Sequence, residues 1–359
     1  MNKIIRSCLI ILCAAAAISL CGCIGMGGGA KKIGIFMPSK NETRWLQDSD
    51  SLMRQLQAKD YHVETRNAED DVELQISQIE AMIDDNYDIL VIAAIDGSRL
   101  KDTLQRAADK NIRVISYDRL IMDSPNVDYY VTFDNFEVGV LQGEYIRDAL
   151  GLEANEGPFN IELFAGAPTD NNAVFFYDGA LSVLGKYLDS GRLRVVSGER
   201  ERTDVAIAEW RPELARERMG GLLEKHYGDG TKLHAVLSPN DGLAAGIIGA
   251  LKDGGYGGDG KPFPILTGQD SDIPNIRAII AGEQSMTVFK DTRTLADRTF
   301  RMIDDLLIKN TTETNDSRTY HNNIKIVPSY ICKPVLVTAD NYKRVLVDSG
   351  YYEISEIEG

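Results

Sequence analysis

The chain has 359 residues and a formal net charge of −15, with 54 acidic and 39 basic residues. This length exceeds one small domain, and the acidic excess along the whole chain argues against a nucleic-acid partner. Four of the five cysteines fall within the first 23 residues, so only Cys332 remains in the folded body; an intrachain disulfide is thereby excluded there, and a buried thiol is expected.

The N-terminus has the pattern of a secretory signal. Lys3 and Arg6 precede an apolar run over residues 8–20, which is too short to span a bilayer comfortably. The run is followed by Gly22 and Cys23, and a small residue before a cysteine is typical of bacterial lipoprotein signals.

We therefore predict a lipoprotein signal peptide over residues 1–22, with Cys23 as the lipidated residue. The glycine-rich residues 23–30 have little side chain to pack, which predicts a flexible tether. The alternative is an ordinary cleaved signal. With either signal, the rest of the chain is expected to work outside the cytoplasm.

Short apolar runs alternate with amphipathic stretches after residue 31, which indicates alternating strands and helices. The apolar runs of the first half cover 33–37, 63–65, 89–94, 114–117 and 129–133, and the amphipathic stretches cover 45–59, 72–84 and 100–110. The pattern starts again at residues 160–164. Apolar runs flanked by helices imply parallel sheets covered on both faces, so we predict two doubly wound α/β lobes.

Polar side chains follow the apolar runs where each predicted strand ends. In open parallel sheets, ligands bind beyond the carboxyl ends of the strands. The residues at these ends include carboxylates, amides, cations and tryptophan: Arg44, Trp45, Asp96, Asp118, Arg119, Asn135, Asn172, Asn240, Asp270 and Lys290. Trp210 is the second of the two tryptophans. This mixture suits an uncharged polyhydroxylated ligand, because each hydroxyl both donates and accepts a hydrogen bond.

A glycosidase would also place carboxylates around a sugar. However, its general acid needs a raised pKa, whereas Arg44, Arg119 and Lys290 would keep nearby carboxylates ionised. None of the four histidines lies at a predicted strand end with a carboxylate partner, so the sequence predicts no catalytic triad, no metal site and no cofactor. A binding protein is favoured over an enzyme.

Several ordered stretches resemble bacterial periplasmic sugar-binding proteins of the xylose-binding type. The stretches are Arg44-Trp45, residues 75–80, Tyr117-Asp118-Arg119, Phe133-Asp134-Asn135, Asp170-Asn171-Asn172, Gly268-Gln269-Asp270 and Phe289-Lys290. Residues 160–164, 280–284 and 327–330 resemble the multiple sugar-binding branch of plant-associated bacteria. The likeness extends from about residue 31 to about residue 352.

This resemblance implies two lobes joined by a three-strand hinge, with a monosaccharide in the cleft between them. The implied lobes are residues 31–135 plus 291–330, and residues 136–290 plus 331–359. The implied hydroxyl-binding residues of the first lobe are Arg44, Asp96, Asp118, Arg119 and Asn135, with Trp45 stacking on the sugar. Those of the second lobe are Asn172, Asn240, Asp270 and Lys290, with Trp210 lining the cleft.

The implied ligand is a sugar such as xylose, glucose, galactose or arabinose. Asn240 matches the asparagine of xylose binders and replaces an aromatic residue of the multiple sugar-binding branch, so the choice among these sugars stays open. The resemblance also implies partners: an ABC permease with its ATPase or, alternatively, a sensor kinase or chemoreceptor. A sugar-responsive repressor of the same fold would need an N-terminal DNA-binding helix pair where this chain has its predicted signal.

Overall fold

The computed structural model describes residues 30–40, 43–155, 157–258 and 260–359. The predicted signal peptide, Cys23 and the tether up to residue 29 lie outside the described residues. The contacts within Lys32–Gly359 make this part of the chain one compact unit.

The described residues form twelve strands. In chain order they are β1 Lys32–Met37, β2 His62–Asn67, β3 Ile89–Ile92, β4 Arg113–Tyr117, β5 Tyr129–Phe133, β6 Phe159–Leu163, β7 Leu193–Val195, β8 Ala235–Leu237, β9 Ile265–Leu266, β10 Thr287–Phe289, β11 Ser329–Cys332 and β12 Val335–Val337. The helices are α1 Thr43–Gln57, α2 Val72–Asp84, α3 Lys101–Asp109, α4 Asn135–Leu150, α5 Asn172–Asp189, α6 Arg202–Val205, α7 Pro212–His226, α8 Asp241–Asp253, α9 Ile273–Ile280, α10 Thr292–Lys309 and α11 Ile354–Glu358. Short helical turns cover Gly97–Arg99, Ala208–Trp210 and Lys343–Val347.

Two parallel sheets organise the molecule. The first has the strand order β11-β5-β4-β3-β1-β2 and the second the order β7-β6-β8-β9, and every pairing within them is parallel. In each sheet the second strand in the chain lies on one side of the first strand, and the later strands lie on its other side. This reversal creates a switch point beside β1 and beside β6. The predicted pair of doubly wound α/β lobes is confirmed.

Alternating side chains of each strand enter cores on opposite faces of the sheets. In β1, Ile33, Ile35 and Met37 pack with α1 and α10 on one face, whereas Phe36 packs with α2 and α3 on the other. The second sheet is likewise covered by α7 and α8 on one face and by α5 on the other. Burial on both faces explains why these strands read as continuous apolar runs.

The chain passes between the two lobes at three places. It leaves the first sheet after β5 into α4, which packs closely along α5, and it returns after β10 into α10, which packs on α1. It leaves again after β11, and β12 pairs antiparallel with β10. The boundary predicted between residues 330 and 331 falls inside β11, which belongs to the first sheet.

Cys332 is buried and forms no disulfide. Within the described residues, no helix is both long enough and apolar enough to cross a membrane.

Candidate ligand-binding site

A small cavity lies where the carboxyl ends of strands from both lobes meet. Its walls come from the starts of α1 and α5, the loops after β4, β6, β8 and β9, the residue after β10, and the turn before α7. The lining residues are Arg44, Trp45, Asp118, Arg119, Asp170, Asn172, Phe176, Trp210, Asn240, Gln269, Asp270 and Lys290. Nine of the eleven ligand-binding residues predicted from the sequence are among them.

An ion-pair chain runs through the cavity from one lobe to the other. Nη2 of Arg44 lies 2.9 Å from Oδ1 of Asp118, and its Nη1 lies 3.4 Å from Oδ1 of Asp270. Nζ of Lys290 lies 2.9 Å from the same Asp270 oxygen. Arg44 therefore joins a carboxylate of its own lobe to a carboxylate of the second lobe.

A second ion pair crosses the cleft beside the first. Nε of Arg119 lies 3.2 Å from Oδ2 of Asp170, and both side chains are nearly fully buried. The cavity thus holds three cations, Arg44, Arg119 and Lys290, opposite three carboxylates. This balance suits a ligand without net charge.

Burial and ion pairing act in opposite directions on the cavity carboxylates. Burial disfavours ionisation of Asp118, but the charges of Arg44 and Lys290 outweigh it and hold the pKa of that carboxyl below its ordinary value. For Asp170 burial dominates over the attraction of Arg119 and raises the pKa. Asp118 is therefore the more firmly ionised of the two.

Asn172 anchors a hydrogen-bonded network at one wall of the cavity. Its Nδ2 donates to the Asp118 carbonyl at 2.9 Å, and its Oδ1 accepts from Nδ2 of Asn135 at 2.9 Å and from the Tyr130 hydroxyl at 3.1 Å. Asn135 is fully buried behind Asn172 and does not line the cavity. Asn135 therefore supports Asn172 through its hydrogen bond and does not face the cavity.

Trp45 supports the two arginines. The indole is 1 % exposed, and the guanidinium carbons of Arg44 and Arg119 lie 4.4 Å and 5.2 Å from the ring centroid. Such contacts place a cation against the electron-rich face of the ring. That Trp45 also stacks on a sugar stays a prediction.

Trp210 and Phe176 form the aromatic wall on the side of the second lobe, with ring centroids 6.3 Å apart and a T-shaped arrangement. The six-membered ring of Trp210 packs directly on Gly166, where a Cβ atom would lie 2.0 Å from Cη2 of the indole. Glycine at position 166 is therefore required for this placement of the ring.

Two lining residues of the second lobe have backbone in the left-handed region, Trp210 with φ 54° and Asp270 with φ 98°; Asp118 of the first lobe has φ 58°. Aspartate tolerates such angles more readily than tryptophan. Backbone strain of this kind persists where surrounding structure enforces it, and it concentrates at functional sites.

Asn240 and Asp96 both act as caps, but only one of them reaches the cavity. Oδ1 of Asn240 accepts from the Leu243 amide at the start of α8 while the residue lines the cavity. The Asp96 carboxylate accepts from the amide and hydroxyl of Ser98 and caps a short helical turn. Asp96 is not among the lining residues, so the structure does not bring it to the site.

Three lining residues are not among the ligand-binding residues predicted from the sequence: Asp170, Gln269 and Phe176. Asp170 and Gln269 stand beside selected residues in the stretches 170–172 and 268–270. Phe176 follows Asn172 by four positions on α5, and this spacing places two residues on one helix face. The helical spacing could have identified Phe176 once Asn172 was assigned.

Four fully buried polar atoms of the cavity wall have no hydrogen-bond partner within the part of the chain that the structure describes. They are Nε of Arg44, Nε1 of Trp45, Nε1 of Trp210 and Oε1 of Gln269. A buried polar group without a partner costs about 1–3 kcal/mol. Among the described residues, no group of histidine, cysteine and acidic side chains could hold a metal ion.

A sequence model of the periplasmic binding protein domain matches residues 33–311. The chain therefore belongs to the periplasmic binding protein family, which is a family of solute-binding proteins and not of enzymes. Its fold is the type I fold of that family, with two parallel α/β lobes.

Among individual proteins, the chain is similar to the multiple sugar-binding periplasmic protein SbpA of Azospirillum brasilense, with 54% identity over 89% of each chain. It is 50% identical to the multiple sugar-binding periplasmic receptor ChvE of Rhizobium radiobacter, over 98% of this chain and 99% of that one. The predicted resemblance is confirmed.

A solved structure is similar in both sequence and shape. It is an ABC transporter solute-binding protein of Clostridium phytofermentans with bound β-D-glucose, with 47% identity and a TM-score of 0.88. The match covers 91% of this chain and all of that chain.

Proposed function

We propose that the protein is an extracytoplasmic sugar-binding protein that captures one monosaccharide in the cavity between its lobes, without chemical turnover. The ligand belongs to the class of xylose, glucose, galactose and arabinose. The lobes close around it, and the closed protein delivers it to an ABC permease driven by a cytoplasmic ATPase.

The observation that carries this proposal is the set of unpartnered polar atoms in a cavity whose charges balance. Within the described part of the chain, three donors and one acceptor lack partners, in a cavity that also holds three cations and three carboxylates. A sugar hydroxyl both donates and accepts, so one hydroxyl can bridge a carboxylate to a guanidinium or an indole N–H. An anionic ligand would have to compete with carboxylates for every cation.

The aromatic wall supports a pyranose ligand in particular. The C–H face of a sugar ring is apolar and packs on an aromatic ring, while its hydroxyls point to the polar walls. Trp210 and Phe176 provide that surface beside Asn240 and Lys290. The relatives that are named multiple sugar-binding proteins and the relative with bound glucose agree with this ligand class.

Isothermal titration calorimetry with the purified protein tests the proposal. Xylose, glucose, galactose, arabinose, ribose and one disaccharide are titrated in separate runs. Saturable one-to-one binding of a monosaccharide that is recovered unchanged is the expected result. Absence of heat with every monosaccharide, or conversion of the sugar, would contradict the proposal.

A sensing role is the second candidate function, because a relative with 50% identity is named a receptor. In that role the closed protein presents the sugar to a membrane kinase or chemoreceptor instead of a permease. Deletion of the gene separates the two roles: loss of sugar uptake supports transport, whereas loss of a sugar response with normal uptake supports sensing.

We also propose that Cys23 carries a lipid that anchors the protein to the outer face of a membrane. The support is the sequence pattern of residues 1–23. Cys23→Ser is expected to move the protein from the membrane fraction to the soluble fraction. If the variant stays in the membrane fraction, the anchor proposal is wrong, and the sugar-binding proposal is unaffected.

A further inference from the structure

Asp48 is a fully buried carboxylate directly behind the binding cavity. It lies one helical turn after Arg44 on α1 and has no exposed surface. Its Oδ2 is 3.5 Å from Nη2 of Arg44, and its Oδ1 accepts a hydrogen bond from the Tyr117 hydroxyl. Asp48 itself is not among the residues that line the cavity.

Ionised Asp48 is unfavourable for the stability of the folded state in this buried position. Burial raises the pKa of Asp48 to about 7, although Arg44 and the hydrogen bond from Tyr117 act in the opposite direction. Its ordinary value is 3.8. Ionisation of this group therefore lowers the stability of the folded state progressively as the pH rises from about 4 to about 7.

Asp48 connects the two elements that supply the cations of the first lobe. Helix α1 carries Arg44, and the end of β4 carries Tyr117, which immediately precedes Asp118 and Arg119. Through its two oxygens, Asp48 joins the guanidinium on the helix to the phenol at the strand end. Asp48 thereby holds Arg44 near Asp118 from the side that faces away from the cavity.

We propose that Asp48, held by Tyr117, is a positioning residue that fixes the Arg44 guanidinium in the orientation needed to bind the sugar. This inference rests on the proposed function. Arg44 reaches carboxylates in both lobes, so a guanidinium that rotates away would weaken contacts on both sides of the cleft. A fixed guanidinium loses less freedom when a ligand binds, which favours affinity.

Other titratable groups also face Asp48. Arg44 faces it from the same helix, Tyr117 and Asp118 from the end of β4, Lys290 from the end of β10, and Tyr351 from the segment before α11. The pKa values of Arg44, Tyr117 and Tyr351 are raised, and that of Asp118 is lowered. These four groups therefore keep their protonation state near neutral pH, where Asp48 changes its own.

The test compares Asp48→Asn with the wild type in sugar titrations and in thermal unfolding. Asparagine has nearly the same shape as a protonated aspartate. At about pH 8 we expect sugar binding to be weaker by about tenfold, because the guanidinium loses a charged partner. At about pH 6 the two affinities should approach each other, because the wild-type carboxyl is then largely protonated.

Thermal unfolding of the free proteins separates positioning from a purely structural role. We expect Asp48→Asn to have a higher unfolding midpoint than the wild type at about pH 8, because the variant no longer buries a charge. Weaker binding together with higher stability supports the proposal. A lower midpoint with weaker binding would assign Asp48 a structural role and overturn it.

Asp50→Asn is the matched control, since Asp50 is exposed on the same helix and the chemical change is identical. It should bind sugar like the wild type at both pH values. Tyr117→Phe should weaken binding in the same direction as Asp48→Asn but less, because Arg44 still faces the carboxylate.

Equal affinity of Asp48→Asn and wild type at about pH 8, or an affinity ratio that does not change with pH, would overturn the positioning role. In either case a wild type that binds sugar leaves the proposed function intact. A wild type that binds none of the monosaccharides contradicts the proposed function itself.

Discussion

The two lobes hold their halves of the cavity in different ways. In the first lobe, buried side chains support the charged groups: Trp45 and Tyr117 belong to the hydrophobic core, and they contact the arginines and Asp48. In the second lobe, close packing on the backbone adds to the ion pairs, because the Trp210 indole packs directly on Gly166. Substitutions in the first lobe should therefore act through charge, and those in the second lobe also through packing.

The largest effect is expected for Asp270→Ala in the second lobe. Asp270 is the carboxylate shared by Lys290 and Arg44, so its loss leaves a buried lysine without its ion-pair partner. At a binding site, loss of one partner of a buried charge pair costs about 2–5 kcal/mol of binding free energy, so we expect roughly a hundredfold weaker sugar binding. Calorimetric titration measures this change, and circular dichroism controls for folding. A sugar affinity within about twofold of that of the wild type would show that Asp270 does not contribute to binding.

Gly166→Ala tests the packing support of Trp210. The added methyl would lie 2.0 Å from the indole, so the ring must move away from the cavity wall. We expect sugar binding to weaken by about tenfold and the tryptophan fluorescence change on binding to shrink. Gly220→Ala is the matched control, because among the described residues nothing beyond its chain neighbours and its own helix backbone lies within 4 Å of a Cβ atom there. If both variants bind like the wild type, the indole is not held by Gly166.

Asp118→Asn tests the charge support in the first lobe through stability. Arg44 and Lys290 lower the pKa of Asp118 despite its burial. The ionised form therefore stabilises the folded protein at pH values above 3.8, the ordinary pKa of an aspartate. This stabilisation is lost as the pH falls through the lowered pKa. We expect the variant to be less stable by about 1–3 kcal/mol at neutral pH, with a smaller difference in acid. Urea unfolding at several pH values measures it; a difference independent of pH would contradict the charge argument.

The smallest effect is expected for Asp96→Ala. Its carboxylate caps the turn at Gly97–Arg99 and lies outside the cavity. Loss of a cap costs about 1 kcal/mol of stability, while sugar affinity should change by less than about twofold. A tenfold loss of affinity would instead support the prediction from the sequence that Asp96 binds the ligand.

Most of the cavity wall could be predicted, because a parallel sheet places the ends of its strands at one edge. The strand-end position predicts Arg119, Asn240 and Lys290, and all three line the cavity. Asp96 follows β3 in the same way, yet its carboxylate turns to the adjacent amide of Ser98. Strand-end position therefore identifies candidates but does not decide which of them reach the cavity, since Asn240 also caps a helix and still lines it.

The sequence by itself determined the alternation of strands and helices, the parallel sheets and the chemical character of the site, because these depend on local periodicity and on strand order. Only the tertiary structure decided the pairings: Arg44 with Asp118 and Asp270, Arg119 with Asp170, and Asp48 beneath Arg44. Partners such as Arg44 and Asp270 are separated by 226 positions in the chain. No local pattern encodes such a contact, because it forms only when the two lobes pack against each other.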